Sequence, residues 1–321
     1  MREVFHLKLP ATSANLGPAF DTAAVALNLH LEIQAEAASD FTVSATGRDA
    51  VACGRMEGNL ILQLYRHVLT LHGKTVVPLR LGVRNGIPLG MGCGSSAAAR
   101  LAGIAIAAHF GALDLSGEEI VALAAHLEGH PDNVSACWFG GMTVSAVAHE
   151  LAGPVPGTSP PASVTFPRVS VARFDVSPRW RPVLVLPREA VRTEESRKVL
   201  PGRYSQADTV VNLQHTALLV AAFATGDSSL LRSAMHDRLH HPYRSAICPL
   251  LPRLQEISPE EGLLGVALSG AGPGVFMVVE RSLNEDLLQR LLRHKLGGLD
   301  SVEVMVCEFE NQGKASRVDR W

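Results

Sequence analysis

Residues 88–99 read PLGMGCGSSAAA, and this stretch decides how the rest of the chain is interpreted. Three glycines alternate with larger residues, two serines follow, and an alanine run then begins. A glycine loop that leads into a helix gathers free backbone N–H groups around one concavity, and the helix N-terminus adds about half a positive charge. Glycine allows both positive φ and a close approach of the ligand. The stretch therefore predicts a phosphate-binding loop, and its serine hydroxyls can also bind Mg²⁺.

Other interpretations of this loop compete with a phosphate site. A P-loop is excluded because no lysine follows Gly94. A dinucleotide fingerprint matches formally from Gly92 to Ala97, but the acid that it needs would be Asp114, which lies between two predicted helices and does not end a strand. A tight turn before an alanine-rich packing helix stays open as an alternative. Cys93 is interpreted as a packing residue in preference to a nucleophile.

The composition is that of an ordinary globular protein. The 321 residues are 47% hydrophobic and 19% charged, which allows one large or two medium domains. A net charge of −2 argues against nucleic acid or an anionic membrane as a partner. The five scattered cysteines form no C-x-x-C pair, so neither a disulfide framework nor a zinc cluster is predicted. Because we see no export signal and no apolar span, we expect a cytoplasmic protein.

Hydrophobic periodicity predicts mixed α and β structure in both halves of the chain. Ser116 and Glu119 form a capping box for a helix that should end near Gly129. A turn-rich loop is predicted over 10–21, and the Pro/Gly/Ser-rich stretch 152–163 separates predicted domains of residues 1–163 and 164–321. Periodicity also predicts strands at 2–9, 181–187, 263–269 and 274–280 and helices at 95–110, 207–225 and 283–296.

The segment EGHPDN, residues 128–133, is a second candidate site. Glu128 could bind Mg²⁺, Asp132 could supply charge or a hydrogen bond, and Asn133 could bind a substrate hydroxyl, with His130 among them. The alternative is a solvated helix terminus in which Asp132 or Asn133 caps the next helix. Taken alone, the segment favours neither interpretation.

Two further loops and two arginines carry weaker signals. PATSANLGPAFD, residues 10–21, offers Asn15 and Asp21, but alone it is typical of a surface turn. SGAGPG, residues 269–274, is typical of a hairpin turn between two strands. Arg197 and Arg244 could each clamp a carboxylate, although single arginines more often lie at the surface.

The neighbouring pair His240–His241 shows no carboxylate or cysteine at metal-ligand spacing. We therefore expect both imidazoles to face solvent and assign them no function.

Taken together and in order, these motifs resemble those of the galactokinase–homoserine kinase–mevalonate kinase–phosphomevalonate kinase (GHMP) superfamily, and ATSANLG with EGHPDN resembles its homoserine kinase branch. The resemblance covers nearly the whole chain. It implies an α+β fold of two domains, with the active site between them. The N-terminal domain would contain a left-handed β-α-β crossover, and the C-terminal domain would be a ferredoxin-like α+β sandwich. A homodimer would be usual for the family.

The resemblance also implies an activity, which is ATP-dependent phosphorylation of the γ-hydroxyl of L-homoserine in threonine biosynthesis. It implies Mg²⁺ held by Ser96 and Glu128, and Asn133, Thr193 and Asp132 at the reaction, with Asp132 either a base or structural. The implied ATP-binding residues are Pro88, Leu89, Gly90, Met91, Gly92, Cys93, Gly94, Ser95, Ser96, Ala97 and Ala98. The implied homoserine-binding residues are Asn15, Asp21, His130, Asn133, Arg197 and Arg244.

The motifs depart from the family pattern at two places, since Cys93 replaces a usual leucine and Ala19 a frequent glycine. A GHMP kinase for another small carboxylate-bearing alcohol and a non-catalytic ligand sensor of the same fold stay open as alternatives.

Overall fold

The computed structural model describes residues 3–148, 166–188, 193–257 and 262–320, and of residues 193–195 it describes only the backbone. The strands are β1 Glu3–Asn15, β2 Ala19–Ala37, β3 Thr42–Gly47, β4 Leu79–Asn85, β5 Met142–Val147, β6 Val169–Phe174, β7 Trp180–Pro187, β8 Leu263–Leu268, β9 Val275–Glu280, β10 Val302–Val306 and β11 Ala315–Arg320. The helices are α1 Ala50–Cys53, α2 Leu60–Leu71, α3 Ser95–Phe110, α4 Gly117–Glu128, α5 Asp132–Phe139, α6 Thr193–Lys198, α7 Gln206–Thr225, α8 Ser228–Ala234, α9 His241–Arg244, α10 Leu250–Gln255 and α11 Glu285–Leu296.

The first sheet has seven strands, in the order β11-β1-β2-β4-β3, with β5 paired to β2 and β6 paired to β5. Its pairs are antiparallel except for β3 and β4, which are parallel and are joined through α1 and α2. Helices α3 and α5 both pack on β1 and β2. Many residues of helix α3 are buried, and most of the smaller ones are alanines, whose short side chains let the neighbouring elements pack closely. Gly103 lets α3 approach the backbone of α2.

The second sheet has the order β10-β7-β9-β8, and each of its pairs is antiparallel. Along the chain its strands and the helices between them follow the β-α-β-β-α-β pattern, which confirms the ferredoxin-like expectation. Period-two alternation gives β7 two buried faces: Leu184 joins the core shared with the first sheet, whereas Val183 joins a separate core with α10 and α11. The second sheet is thereby packed against the first half of the chain.

Two features differ from the sequence expectations. Strand β1 continues to Asn15 and β2 begins at Ala19, so the predicted loop 10–21 is mostly strand. The polar residues Thr12 and Ser13 favoured a loop in the sequence. In the structure both are buried in the strand and their side chains are hydrogen-bonded. Strands β6 and β11 pair with the first sheet although they belong to the predicted C-terminal domain. The stretch 152–163 and the boundary after residue 163 lie outside the described residues, and the boundary stays a prediction.

A close backbone contact joins the phosphate loop to the β8–β9 turn. Ser269 Oγ donates a hydrogen bond of 2.8 Å to the carbonyl of Gly92 and lies 3.0 Å from Ser13 Oγ. A Cβ atom on Gly92 would lie only 1.9 Å from the carbonyl oxygen of Ser269, and the φ of Gly92 is +77°. Glycine is therefore required here for both its conformation and its size.

No helix within the described ranges is long and apolar enough to cross a membrane.

We expect Gly92→Ala to lower the free energy of unfolding by at least about 3 kcal/mol, because the added methyl group meets backbone that cannot move aside. The matched control is Gly58→Ala, since Gly58 has a similar φ of +70° but open space where the Cβ would lie. The control should lose only about 1 kcal/mol, from backbone strain. Urea unfolding of both variants measures the difference, and equal losses would contradict the contact.

Candidate active site

One pocket lies where the two halves of the chain meet, and it collects most of the residues that the sequence indicated. It is lined from the end of β1, the phosphate loop, the α4–α5 junction, α6, α9 and the β8–β9 turn. The lining residues are Asn15, Asp21, Gly90, Gly92, Cys93, Gly94, Ser95, Ser96, Glu128, His130, Asp132, Asn133, Arg197, Arg244, Gly270 and Ala271. Segments far apart in the sequence therefore form a single site.

The phosphate loop has the geometry of an anion site. Gly90, Gly92 and Gly94 all have positive φ, between +69° and +77°. Helix α3 begins at Ser95, directly after Gly94, and no side chain caps its N-terminus. Its first N–H groups are thus available to an anion, and the helix dipole favours negative charge there.

Part of the predicted ATP-binding set does not line the pocket. Ala97 and Ala98 are buried on the core side of α3, and Pro88, Leu89 and Met91 lie outside the lining. These five residues stay predicted contacts, because a bound nucleotide reaches further than the pocket itself.

Cys93 does line the pocket, but its side chain is almost entirely buried. Burial raises the pKa of the Cys93 thiol to about 12. The thiol therefore stays protonated at neutral pH, which agrees with a packing role and not with a nucleophile.

Ser96 and Glu128, the predicted Mg²⁺ ligands, face each other across the start of α3. Ser96 Oγ lies 3.4 Å from Glu128 Oε2. Arg100 Nη1 lies 2.5 Å from the same carboxylate oxygen and also donates to Ser96 Oγ. A hydroxyl and a carboxylate are ligands that Mg²⁺ prefers, and the guanidinium of Arg100 lies against both oxygens. The residues fit a magnesium site.

The α4–α5 junction orients its side chains through Asp132, which is only 1% exposed. Asp132 Oδ1 accepts hydrogen bonds of 2.6 Å from His130 Nδ1 and from the backbone N–H of Asn133. Asn133 Oδ1 in turn accepts a 2.6 Å hydrogen bond from Thr12 Oγ1. Of the two roles left open for Asp132, this geometry favours the positioning of its neighbours.

The pKa of His130 is set by two opposing effects. Burial favours the neutral imidazole, but the hydrogen bond and charge of Asp132 outweigh it, with help from Asp21 and Glu128, so that the pKa of His130 lies above its usual value. A protonated His130 is a hydrogen-bond donor at both ring nitrogens, and it adds positive charge beside the phosphate loop.

Arg197 and Asp21 form a two-pronged ion pair at the mouth of the pocket. Arg197 Nη1 and Nη2 donate to the two carboxylate oxygens of Asp21 at 3.0 and 2.7 Å. The Arg197 side chain is 40% exposed and that of Asp21 is 30% exposed. Asn15 holds the start of β2, where Asp21 lies, because its Oδ1 accepts from the Asp21 backbone N–H and its Nδ2 donates to Gly270 O, both at 2.9 Å.

Arg244 lies deeper, with only 1% of its surface exposed. Its Nε donates to Ser196 O at 3.1 Å, and its Nη1 donates to His240 Nδ1 at 3.2 Å. Burial, together with the charge of Arg197, lowers the pKa of Arg244, but a guanidinium stays protonated at neutral pH. Arg244 thus supplies a fixed positive charge to the pocket wall and also holds α6 in place.

The expectation that His240 and His241 face solvent is wrong, since both are buried. Asp237 is buried beside them, and its Oδ2 accepts from the backbone N–H groups of His240 and His241 at 2.8 and 2.6 Å, at the start of α9. A carboxylate therefore does lie beside the two histidines, contrary to expectation, and its Oδ2 already accepts these two hydrogen bonds. Burial lowers the pKa of His240 to about 3, so its ring is neutral and donates from Nε2 to Gly17 O.

Sequence reasoning missed three residues of the site, and its assignment of Thr193 is not tested. Arg100 follows Ser96 by four positions on α3, and this helical spacing was the available signal. Gly270 and Ala271 lie in the SGAGPG turn, which does join β8 to β9 as expected and also lines the pocket. Thr193 begins α6, but its side chain lies outside the described part of the chain.

Comparison with known proteins agrees with this geometry. The family described as GHMP kinases N terminal domain matches residues 59–141, and that described as GHMP kinases C terminal matches residues 219–296. The chain is 38% identical over 313 residues to the homoserine kinase of Solibacter usitatus, which covers 96% of both proteins. The chain belongs to the GHMP kinase family.

Other GHMP kinases support the same assignment. The homoserine kinase of Moorella thermoacetica is 38% identical over 84% of this chain and 85% of its own length. The crystal structure of homoserine kinase from Cytophaga hutchinsonii has a TM-score of 0.76 at 22% identity and covers 98% of this chain and 97% of its own. This structural likeness shows the GHMP kinase fold.

We expect Asp132→Asn to lower the pKa of His130, because the variant loses the charged partner while burial remains. NMR titration of the imidazole signals measures this shift. The raised pKa of His130 means that its protonated imidazole stabilises the folded state. The stability advantage of the unmodified protein over the variant should therefore be largest below about pH 6.5, where that imidazole is protonated in the folded and the unfolded state. It should shrink as the pH rises through the raised pKa. An unchanged His130 titration would contradict the assigned pair.

Proposed function

We propose that this GHMP kinase transfers the γ-phosphoryl group of ATP to the γ-hydroxyl of L-homoserine, which yields O-phospho-L-homoserine and ADP in threonine biosynthesis. The names of the relatives support this substrate, at 38% identity over nearly the whole chain. The observation that carries the proposal is a single pocket that joins an anion site, at the start of α3, to the exposed ion pair of Arg197 and Asp21.

The ion pair is suited to a zwitterionic substrate. An amino acid carries a carboxylate that can bind Arg197 and an ammonium group that can bind Asp21, so its two charges can replace the mutual contact of the pair. The partial exposure of both side chains makes such an exchange accessible. Arg244 adds a second, buried positive charge, which favours the substrate carboxylate at this end of the pocket.

The remaining pocket residues would orient the reacting groups. Asn15, His130 and Asn133 would position the substrate so that its γ-hydroxyl faces the transferred phosphoryl group, and Thr193 would lie near that group. Asp132 would act through His130 and Asn133, with its hydrogen bonds already used to orient them. Phosphoryl transfer depends mainly on positioning and on charge stabilisation, so the proposed mechanism includes no strong base.

ATP would bind with its phosphates against the loop from Gly90 to Ser96 and the N-terminus of α3. Ser96 and Glu128 would hold Mg²⁺, whose chemistry is to neutralise the charge that the phosphoryl oxygens carry during transfer. The chain itself contributes the backbone N–H groups and the two oxygen ligands. The cytoplasmic location and the homodimer stay predictions, and light scattering of the purified protein measures the oligomeric state.

We expect ADP release with homoserine and little with mevalonate, galactose or shikimate, because only homoserine carries both charges that the ion pair can bind. A coupled ADP-release assay across the four alcohols measures this preference. A preference for shikimate or mevalonate would replace homoserine with another carboxylate-bearing alcohol. Release with none of them, despite ATP binding, would instead support a non-catalytic ligand sensor.

We expect Arg197→Met to raise the KM for homoserine about 10- to 100-fold and to leave the KM for ATP nearly unchanged, because the variant loses charged hydrogen bonds to the amino acid alone. The control is Arg317→Met, which removes the same charge from the exposed strand β11. Steady-state kinetics at varied homoserine and at varied ATP measures both constants. An unchanged homoserine KM would rule out the proposed clamp.

A further inference from the structure

Arg100 lies one helical turn beyond Ser96 and contacts both residues that fit the magnesium site. A single guanidinium nitrogen, Nη1, lies 2.5 Å from Glu128 Oε2 and donates to Ser96 Oγ. The two oxygens lie 3.4 Å apart. The nitrogen thus contacts both residues that would hold the metal.

A Mg²⁺ ion held by the same two oxygens would compete with this contact of Arg100. Mg²⁺ binds its oxygen ligands at about 2.1 Å in a nearly ideal octahedral arrangement, which crowds a guanidinium nitrogen on those oxygens. The positive charge of Arg100 also opposes the approach of a second cation, in a pocket where the Arg100 and Glu128 side chains are only 21% and 11% exposed.

We propose that Arg100 is an internal competitor for the metal: it contacts Glu128 and Ser96, and it must leave both before they can bind Mg²⁺. The inference rests on the proposed function in one respect, which is the assignment of Ser96 and Glu128 as the metal ligands. It assigns a role to a residue that the phosphoryl-transfer mechanism above does not use. Its consequence is that metal alone, without nucleotide, binds weakly to this chain.

The test is a titration of the full-length, nucleotide-free protein with Mn²⁺, in which electron paramagnetic resonance measures the free Mn²⁺. We expect Arg100→Met to bind Mn²⁺ at least about tenfold more tightly than the unmodified protein, because the competing charge is gone. The matched control is Arg84→Met, which removes the same charge from the exposed face of β4 and should change Mn²⁺ affinity less than about twofold.

A second variant locates the gain. Glu128→Gln, added to Arg100→Met, should abolish the tighter binding, because it removes the carboxylate ligand. Mn²⁺ affinity that is equal in Arg100→Met and the unmodified protein would overturn the proposal, and so would a gain that survives Glu128→Gln. If Arg100→Met does not fold, Arg100→Gln carries the same expectation with a polar side chain. Mn²⁺ should also raise the melting temperature of the Arg100 variant more than that of the unmodified protein.

This experiment is separate from the test of the substrate, because it uses neither nucleotide nor alcohol. Failure of the chain to phosphorylate homoserine, together with the expected gain in Mn²⁺ binding, would reject the proposed substrate and support the role of Arg100. Homoserine phosphorylation without that gain would support the proposed function and reject the role of Arg100.

Discussion

The close approach of Gly92 to Ser269 is the contact on which the rest of the site depends. It joins backbone to backbone, and a methyl group at Gly92 would overlap the Ser269 carbonyl. The same place is tied to strand β1, because the N–H of Gly270 donates to Ala14 O and the N–H of Thr12 donates to Cys93 O, both at 3.1 Å. These contacts hold three distant segments together beside the start of α3, whose first residues line the pocket.

Around this contact the site has a rigid part and an exchangeable part. Asp132 and Arg244 are almost completely buried and hydrogen-bonded, and breaking such partnerships would leave a charge unpaired in a medium of low dielectric constant. They fix the positions of His130, Asn133 and α6. The side chains of the ion pairs Arg197–Asp21 and Arg100–Glu128 are more exposed than these two residues. Each pair can therefore separate, and its charged groups can bind a ligand instead.

This division explains how one pocket can be preorganised and still admit charged ligands. The buried residues orient the backbone and the neutral donors without needing to move during binding, which is what phosphoryl transfer demands of a protein. Within each pair the two charges neutralise each other before binding. A zwitterionic amino acid would bind both Arg197 and Asp21, whereas a metal would take the place of Arg100 on Glu128.

The sequence by itself determined the local features. Helix α3 runs from Ser95 to Phe110 as its pattern predicts, the Ser116–Glu119 capping box starts α4, and β7 covers the strand predicted at 181–187. The order of the motifs was also sufficient for the family, which the comparisons confirm. These features depend on residues that are close together in the chain, or on glycines with a positive φ that few other residues adopt.

Only the tertiary structure decided which side chains meet. Arg197 is 176 residues from Asp21, and the carboxylate that pairs with Arg100 comes from the end of a different helix. His240 and His241 are buried beside Asp237, which accepts hydrogen bonds from their backbone N–H groups, and the polar end of β1 is a strand because it pairs with β2. Periodicity and composition carry no information about such contacts, because their energy comes from groups that only packing brings together.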